Sequence, residues 1–367
     1  MKVLSLKTAN FRNLEPSTTF FCDGVNVIYG NNAHGKTNLL EANWLFTGAK
    51  SFRGAKENEF VRFGEQEARC TLSFYAAERQ QTAKLYYGAQ KKCLLNGVEY
   101  PAATHLSGKF SAVVFSPKHL SLIADGPGER RKFLDQLLCQ IKPRYAAALA
   151  TYQKAVSQRC AILRDLRYHG ELAELCDLFE DSAAQSGAYL VQMRKKYLEF
   201  LAPIVAEYYG GISAGREALT MEYQATGGQS WDKDALLEAL RQSRQEDIFT
   251  GNTSVGPHRD DFCVSINGAP ARAYGSQGQQ RSAVIALKLG EAQTLKAFIG
   301  EEPVVLLDDV MSELDVTRKK FVLNRLQEQQ IFITCCDRSD LKGMKAGLTL
   351  RMKDGALQSL QTRSRVK

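Results

Sequence analysis

Apolar and polar residues alternate at the start of the chain and then change to a helical repeat. The alternation in KVLSLKTANF and in GVNVIYG predicts β-strands, and the spacing of apolar residues in TNLLEANWLF predicts a helix after a short loop. Shorter alternating runs occupy residues 68–115, where Asn96-Gly97 predicts a two-residue hairpin turn. We therefore expect a strand, a loop and a helix, followed by an antiparallel β subdomain.

The middle of the chain has a helical pattern. From about residue 128 to about residue 209, apolar residues recur at alternating steps of three and four, which is typical of a helix face turned towards a core. The face is formed by Ala183, Ser186, Leu190, Met193, Tyr197, Phe200 and Ile204. It lasts only about three heptads, so packing within the chain is favoured over a coiled coil with a partner.

Strand patterns return near the end of the chain. DFCVSING, PVVLLDDV and IFITCC read as strands, with helical segments between them, and they supply the second half of an α/β sheet. The predicted fold is α/β: one core formed by residues 1–116 and 251–367. A mostly helical lobe, residues 117–250, is inserted within it.

Composition narrows the class of protein only slightly. Hydrophobic residues make up 44% and charged residues 24% of the 367 residues, as in ordinary globular proteins. No apolar run approaches the roughly 18 residues that cross a bilayer, and the start of the chain lacks a signal-peptide pattern, so a cytoplasmic protein is expected. The nine cysteines contain no C-x-x-C spacing, which favours reduced thiols over a zinc site. A net charge of +8 is compatible with a polyanionic partner.

A phosphate-binding motif lies between the predicted strand GVNVIYG and the predicted helix TNLLEANWLF. The segment GNNAHGKT has the G-x-x-x-x-G-K-[ST] spacing, and its backbone amides are expected to surround phosphate oxygens. Lys36 would reach the terminal phosphates of ATP, and the Thr37 hydroxyl would bind Mg²⁺. The predicted loop residues are Gly30, Asn31, Asn32, Ala33, His34 and Gly35.

Two aspartates end the apolar run PVVLLDDV. Asp308 at the end of the predicted strand would hold Mg²⁺, and Asp309 would orient or deprotonate the attacking water. The alternative is that both residues only open a loop. The phosphate motif elsewhere in the chain favours the metal-binding interpretation.

The phosphate loop, SQGQQR, LLDDV and SELD occur in an order that resembles the ATPase heads of the ABC and SMC class. The resemblance implies that Ser276 and Gly278, with Gln279 beside them, form a signature motif that contacts the γ-phosphate bound by a second copy of the chain. It also implies that residues 312–315 form a loop across the dimer interface, and therefore an ATP-dependent homodimer. The alternative for Ser276 is that it only caps a helix.

Four segments narrow the resemblance to the RecF family of bacterial recombination and gap-repair proteins. They are FRNL, FSPKHLSLIADGPGERRKFLD, VGPHRDDF and SQGQQR. The family implies an ATPase whose dimer clamps double-stranded and gapped DNA, with RecO and RecR as partners in loading RecA, and roles in replication restart and the SOS response. Candidate DNA contacts are the basic runs Arg130–Lys132 and Arg194–Lys196, which could equally be solvated helix faces.

The chain departs from the pattern of the families that it resembles at some positions. Many ABC ATPases have a glutamate where Asp309 stands and a histidine in the loop after the last strand, where this chain has Cys335 and Cys336. The shorter Asp309 predicts slow ATP turnover. SPKHL replaces the SPEDL found in many RecF sequences, which puts a role for acidic residues there in doubt. Arg53 and His258 are each assigned with equal weight to function and to structure.

Two other functions fit part of the pattern. An energy-coupling subunit of a membrane transporter would share the motifs, but about 240 residues separate Lys36 from Ser276 here, and the insertion is long, helical and basic. A DNA-binding scaffold that uses ATP only to close would share the whole pattern. Single-turnover phosphate release separates such a scaffold from a true ATPase.

Overall fold

The computed structural model describes residues 1–166, 169–226, 231–337 and 347–359. The chain forms two compact units. Residues Met1–Leu120 and Val284–Lys367 make up the first, which we call the head unit, and Ser121–Ala283 make up the second, which we call the helical unit. Within the described ranges, no helix combines the length and the apolar character needed to cross a bilayer.

Strands and helices are numbered separately in chain order. The strands are β1 Lys2–Ala9, β2 Ser17–Phe20, β3 Val25–Tyr29, β4 Glu67–Ala76, β5 Arg79–Gly88, β6 Lys92–Leu95, β7 Val98–Tyr100, β8 Ala112–Phe115, β9 Leu219–Gln224, β10 Asp261–Ile266, β11 Ala269–Pro270, β12 Val304–Asp308, β13 Ile331–Cys335, β14 Leu348–Lys353 and β15 Ala356–Ser359. The helices are α1 Lys36–Trp44, α2 Pro127–Ile141, α3 Pro143–Leu166, α4 Ala173–Ser213, α5 Lys233–Gln242, α6 Arg244–Thr250, α7 Ala271–Tyr274, α8 Gln277–Ile299 and α9 Val316–Arg325.

The head unit contains a mainly parallel sheet in the order β15-β14-β3-β13-β12-β8. Strands β14, β3, β13, β12 and β8 pair in parallel, and only β15 is antiparallel to its neighbour. Every residue of β8, β12 and β13 is buried. Because both faces of such strands are covered, they read as unbroken apolar runs, as PVVLLDDV and IFITCC do.

A second, antiparallel sheet of the head unit has the order β2-β1-β4-β5-β6-β7. Its inward side chains, such as Leu72 and Phe74, belong to the same core as Leu306 and Phe332 of the parallel sheet and Trp44 of α1. The expected α/β fold with an antiparallel β subdomain is therefore confirmed. The predicted hairpin turn at Asn96-Gly97 lies between β6 and β7, which pair in register.

The helical unit is built around α3, α4 and α5, which share one core. The predicted face of α4 is correct as far as Tyr197, but Phe200 is 38% exposed and the fully buried positions become Leu201, Val205 and Tyr209. An α-helix has 3.6 residues per turn, so a strict heptad pattern drifts away from the core along so long a helix. Gly187 permits close approach, because a Cβ atom there would lie 2.7 Å from Leu236 Cδ2.

The helical unit ends later than the sequence predicts. The sequence predicts that the head resumes at residue 251, whereas the compact helical unit runs to Ala283. The strand predicted from DFCVSING exists as β10, but it pairs antiparallel with β9 and β11 in a separate three-stranded sheet. Sequence periodicity can identify a strand but not the strand with which it pairs. The strand that pairs with β10 is β9, which lies in the helical unit.

A buried charge network links the helices of the helical unit. The Arg159 guanidinium is fully buried and donates to Glu180 Oε1 at 2.9 Å and to Asp247 Oδ2 at 2.6 Å. It also donates to the Thr253 hydroxyl at 3.0 Å and to the Leu240 carbonyl at 2.8 Å. One side chain therefore ties α3 to α4, α6 and the end of α5.

Replacing Arg159 with methionine removes the buried cation that Glu180 and Asp247 share, and leaves Glu180 with Arg244 alone. Glu180 and Asp247 then stay buried without it, so we expect the free energy of unfolding to fall by about 3–5 kcal/mol. Lys154→Met is a matched control, since it removes one positive charge from an exposed position of the same helix. It should change stability by less than about 0.5 kcal/mol. Urea unfolding followed by circular dichroism measures both, and equal midpoints for the two variants would contradict the assignment.

Candidate nucleotide-binding site

The phosphate loop lies between β3, which ends at Tyr29, and α1, which begins at Lys36. Two glycines give it its shape, with φ of +155° at Gly30 and +107° at Gly35. A Cβ atom at Gly30 would overlap the Met352 carbonyl oxygen, and one at Gly35 would lie 2.9 Å from Asn13 Oδ1. The spacing of the motif therefore has a conformational reason: a side chain at Gly30 would meet backbone atoms, and the positive φ at Gly35 disfavours any residue with a Cβ atom.

The side chain of Lys36 folds back onto the phosphate loop. It is 6% exposed, and its Nζ donates to the carbonyl oxygens of Gly30 at 2.5 Å and Asn31 at 2.9 Å. These acceptors are uncharged. Since a charged phosphate oxygen forms a stronger hydrogen bond with an ammonium than a carbonyl does, an anion in the loop can displace them.

Asp308 lies next to the start of α1. Its Oδ1 accepts hydrogen bonds from the hydroxyls of Thr37 at 2.8 Å and Thr334 at 2.9 Å. Burial raises the pKa of Asp308 above its usual value, while the two hydroxyl donors act in the opposite direction. β12 and β13 are parallel neighbours, so Asp308 and Thr334 meet at the same edge of the sheet.

Asp309 follows in a strained backbone conformation. Its φ is +51°, and its N–H donates to the Thr334 hydroxyl at 3.0 Å. Its carbonyl accepts a hydrogen bond from the Ser312 hydroxyl at 2.9 Å. The turn carries the chain out of β12 and leaves the Asp309 side chain half-buried beside Asp308.

These residues fit a nucleoside triphosphate with Mg²⁺. The Thr37 hydroxyl and the Asp308 carboxylate offer two adjacent oxygen ligands of the kind that Mg²⁺ prefers. Within the described residues there is no cluster of three or more His, Cys, Asp or Glu side chains suited to a metal. A metal here would therefore complete its coordination with phosphate oxygens and water, which is usual for Mg²⁺.

The glutamine-rich segment before α8 forms a capping box. The Gln279 N–H donates to Ser276 Oγ at 3.2 Å, and the Ser276 N–H donates to Gln279 Oε1 at 2.8 Å. Gln279 Nε2 also donates to Glu217 Oε1 at 2.8 Å. Ser276, Gly278 and Gln279 belong to the helical unit, and the phosphate loop and Asp308 to the head unit. Capping accounts for the side chains of Ser276 and Gln279, and the contact with a second copy stays a prediction.

Comparison with known proteins decides the family. A family model described as the RecF/RecN/SMC N terminal domain matches residues 2–359. The DNA replication and repair protein RecF of Agathobacter rectalis is 37% identical over 337 residues, which cover 91% of this chain and 92% of that protein. RecF of Caldanaerobacter subterraneus is 38% identical over 349 residues, 91% of this chain and 94% of that protein. The chain belongs to the RecF family.

Solved structures agree with this assignment to the RecF family. The recombination mediator protein RecF-ATPrS in the RecFOR pathway has a TM-score of 0.90 and 36% identity, with 98% of each chain covered. RecF-ATP in the same pathway has a TM-score of 0.90 and 35% identity over 98% of this chain and 97% of that one. The Smc head of Pyrococcus furiosus, at 15% identity, 98% and 96% coverage and a TM-score of 0.53, shares the fold.

The first residue of each predicted basic run is buried. Arg130 is 4% exposed and donates to both carboxylate oxygens of Asp261 at 2.8 Å. Arg194 is 3% exposed and donates to both carboxylate oxygens of Asp135 at 3.0 Å. Neither guanidinium is available for a surface contact with DNA, because each neutralises a carboxylate from a distant part of the chain. The run of positive charge in the sequence cannot reveal such partners.

The remaining basic positions differ in exposure. Arg131 is half-buried and donates to the Asp260 carbonyl at 2.6 Å, while Lys132 is half-buried with Glu129 Oε2 at 3.7 Å. Lys195 is half-buried, with its Nζ 5.9 Å from the centre of the Tyr223 ring. Lys196 is exposed. Lys196 is therefore the most accessible residue of the two runs.

Two residues left open by the sequence have defined surroundings. His258 accepts at Nδ1 from the Tyr152 hydroxyl at 2.6 Å and donates from Nε2 to the Thr253 carbonyl at 3.0 Å. Burial lowers its pKa, which favours this neutral form and a structural role. Arg53 donates to Asn38 Oδ1 at 2.8 Å in the first turn of α1, and it lies 3.8 Å from Glu41 Oε2. Its place beside the helix that follows the phosphate loop favours a functional role.

Sequence reasoning missed the residues that hold the phosphate loop from outside. Asn13 Nδ2 donates to the Ala33 carbonyl at 3.0 Å. The turn between β14 and β15 also contacts the loop, since the Asp354 N–H donates to His34 Nδ1 at 2.7 Å and the Gly355 N–H to the His34 carbonyl at 3.0 Å. FRNL drew attention to Asn13, but no local pattern connects residue 354 with residue 34. Cys336 also lies here, with its Sγ 3.0 Å from Asn32 Oδ1.

Asp308→Asn should stabilise the nucleotide-free protein and abolish ATP hydrolysis. The raised pKa of Asp308 means that the ionised carboxylate is disfavoured in the fold. Asparagine removes that charge, and its Oδ1 can still accept from Thr37 and Thr334. We expect a higher Tm at pH 7 by scanning calorimetry, together with loss of phosphate release.

The pH dependence supplies the control for this variant. Below the ordinary aspartate pKa of 3.8, Asp308 is protonated in both the folded and the unfolded chain, so the advantage of asparagine should disappear. The advantage should grow as the pH rises through the folded-state pKa. If the variant has a lower Tm than the wild type at pH 7, or if its gain in Tm does not change with pH, the inferred effect of burial on the pKa of Asp308 is wrong.

Proposed function

We propose that the chain is an ATP-dependent DNA-binding protein of recombinational gap repair and replication restart. An ATP-driven homodimer clamps double-stranded DNA at single-strand/double-strand junctions and, with RecO and RecR, promotes the loading of RecA. Slow, DNA-dependent ATP hydrolysis then resets the clamp. The protein acts in the cytoplasm at the nucleoid and contributes to the SOS response. Membership of the RecF family and the name of the RecFOR pathway in related structures support this proposal.

One observation carries the nucleotide part of the proposal. Thr37 and Asp308 are 271 residues apart in the chain, yet their side-chain oxygens are 2.8 Å apart beside the phosphate loop. A hydroxyl and a carboxylate in contact next to a buried lysine are the parts that a phosphoryl-transfer site requires. A structural helix start has no need of them together.

The chain's own residues divide the work as follows. The loop amides and Lys36 bind and orient the phosphates. The Thr37 hydroxyl and Asp308 would hold Mg²⁺, which when bound would supply positive charge next to the phosphate oxygens. Asp309 accepts the proton of the attacking water or orients it. The left-handed turn at Asp309 and the hydrogen bond from its N–H to the Thr334 hydroxyl hold the backbone that carries this carboxylate.

The dimer part of the proposal depends on the start of α8. Because Ser276 caps the helix, its hydroxyl lies at the positive end of the α8 dipole. A helix start of this kind is a favourable place for an anion, and the phosphate of an ATP bound by a second copy is the anion we propose. The positive net charge of the chain also favours the binding of DNA, which is a polyanion.

Three variants test the two parts of the proposed dimer contact, the phosphate loop and the start of α8. Lys36→Ala should lose ATP binding, measured with a fluorescent nucleotide. Ser276→Arg should bind ATP but stay monomeric by light scattering, because a long cation blocks the facing phosphate site. Ser276→Ala is the control for the helix cap, since it costs about 1 kcal/mol of stability but introduces no obstruction. It should still dimerise with ATP.

Duplex DNA binding, followed by fluorescence anisotropy with and without ATP, completes this test. Only variants that dimerise should respond to ATP. If Ser276→Arg forms dimers as the wild type does, the contact of this segment with a second copy is disproved. If Lys36→Ala binds ATP normally, the nucleotide site itself is disproved.

Asp309→Asn should separate ATP binding from hydrolysis. The amide cannot accept the proton of water, so we expect single-turnover phosphate release to slow by about 10²–10⁴-fold, with nucleotide affinity unchanged. The ATP-dependent dimer should then persist for longer on DNA. An unchanged rate of phosphate release would show that another group, or none, acts as the base.

A further inference from the structure

The helix α1 carries a fully buried carboxylate, Glu41, that the proposed function does not use. Its Oε1 accepts a hydrogen bond from the Ser51 hydroxyl. Arg12 Nε lies 2.6 Å from its Oε2 as an ion pair, without the alignment of a hydrogen bond, and Arg53 Nη1 lies 3.8 Å from the same oxygen. A buried ion pair often stabilises a fold no better than apolar residues would, so stability alone does not account for Glu41.

Glu41 holds Arg53 at two points. The Ser51 hydroxyl that donates to Glu41 also accepts a hydrogen bond from the Arg53 N–H at 3.1 Å, which fixes the backbone there. The Arg53 guanidinium lies beside the same carboxylate, although 44% of the arginine side chain is exposed. A long side chain with that much exposure would otherwise occupy many rotamers. The buried negative charge therefore restrains an exposed cation.

Three side chains connect Arg53 with the phosphate loop. Arg53 Nη1 donates to Asn38 Oδ1 at 2.8 Å, and Asn38 Nδ2 donates to Asn13 Oδ1 at 2.7 Å. Asn13 Nδ2 then donates to the Ala33 carbonyl of the loop at 3.0 Å. Each asparagine accepts at its oxygen and donates from its nitrogen, so the three bonds run in one direction and polarise one another. We call Arg53, Asn38 and Asn13 the polar bridge.

The end of the polar bridge determines the direction of one amide in the phosphate loop. A trans peptide unit is planar, and its C=O and N–H point to opposite sides. Because Asn13 binds the Ala33 carbonyl, the N–H of the same unit, which belongs to His34, points away from Asn13. Ala33 has φ of +65°, a conformation that needs support in a residue with a Cβ atom. Among the described residues no acceptor contacts the His34 N–H, so this donor is available to a phosphate oxygen.

We propose that Glu41 is a positioning residue of the nucleotide site and acts through the polar bridge. Its charge holds Arg53, and the bridge keeps the Ala33 carbonyl turned outward and the His34 N–H directed at a phosphate of ATP. The inference rests on the proposed function, because that function assigns the loop to ATP. It adds a buried carboxylate that contacts neither phosphate nor metal and yet determines how tightly the phosphates are bound.

Equilibrium binding of a fluorescent ATP analogue to the full chain tests this role. Asn13→Ala removes the last contact of the bridge with the loop, and Glu41→Gln removes the charge that holds Arg53 while keeping the shape of the side chain. Each change should weaken binding about tenfold. The double variant should also bind about tenfold more weakly, because both changes interrupt one path, whereas independent effects would multiply to about a hundredfold. Inorganic triphosphate, measured as a competitor, should lose affinity by the same factor as ATP, since the bridge acts on the phosphate loop.

Glu291→Gln is the matched control. The Glu291 side chain is 1% exposed, is paired with Lys288 and lies in the head unit outside the polar bridge. This variant removes a buried charge as Glu41→Gln does, so its Tm should also fall, but its affinity for ATP should not change. Single-turnover phosphate release at saturating ATP should be unchanged in Glu41→Gln, because the effect is on binding. If Glu41→Gln does not fold, Asn38→Ala replaces it in the double variant, since Asn38 is half-buried and uncharged.

Three results would overturn this role while the proposed function stands. The first is an ATP affinity of Glu41→Gln equal to that of the wild type. The second is a multiplied loss in the double variant, which would show that Glu41 and Asn13 act independently. The third is an equal loss of affinity in Glu291→Gln, which would assign the effect to lower stability. Failure of the proposed function gives a different result: the wild type would bind neither ATP nor triphosphate, and the role of Glu41 would fall with it.

Discussion

The contact of Thr37 and Thr334 with Asp308 is the interaction on which the rest of the site depends. It joins the start of the helix after the phosphate loop to the ends of two strands from the other end of the chain. Burying a carboxylate is costly unless hydroxyl donors solvate it. The two threonines supply that solvation and partly offset the effect of burial on Asp308.

The parallel sheet makes this contact possible. β3, β13 and β12 are neighbours in one sheet and run in the same direction, so their carboxyl ends meet at one edge. Loops that leave this edge are the usual place for ligands in α/β folds. A large insertion between the strands does not disturb this geometry, because strand pairing depends on the register and not on the number of residues in between.

Local patterns in the sequence predicted the parts of the structure that local chemistry determines. Gly30 and Gly35 stand where the backbone must be left-handed or approach its neighbours closely, and Asp308 stands where a buried strand ends. Features that need a distant partner were not predictable. Arg130 and Arg194 read as surface charge until Asp261 and Asp135 are known to face them, and β10 reads as a strand of the head until β9 is known to pair with it.

The turn at Asp354-Gly355 has a consequence for the order in which the protein is made. It donates two hydrogen bonds to His34, so the phosphate loop has its full set of neighbours only when a segment 320 residues later in the chain has been synthesised. Translation at about 5–20 residues per second puts an interval of tens of seconds between the two segments. During that interval the helical unit can fold on its own contacts, whereas the loop stays incomplete. A nascent chain on the ribosome therefore passes through a stage in which its ATP site is not yet supported.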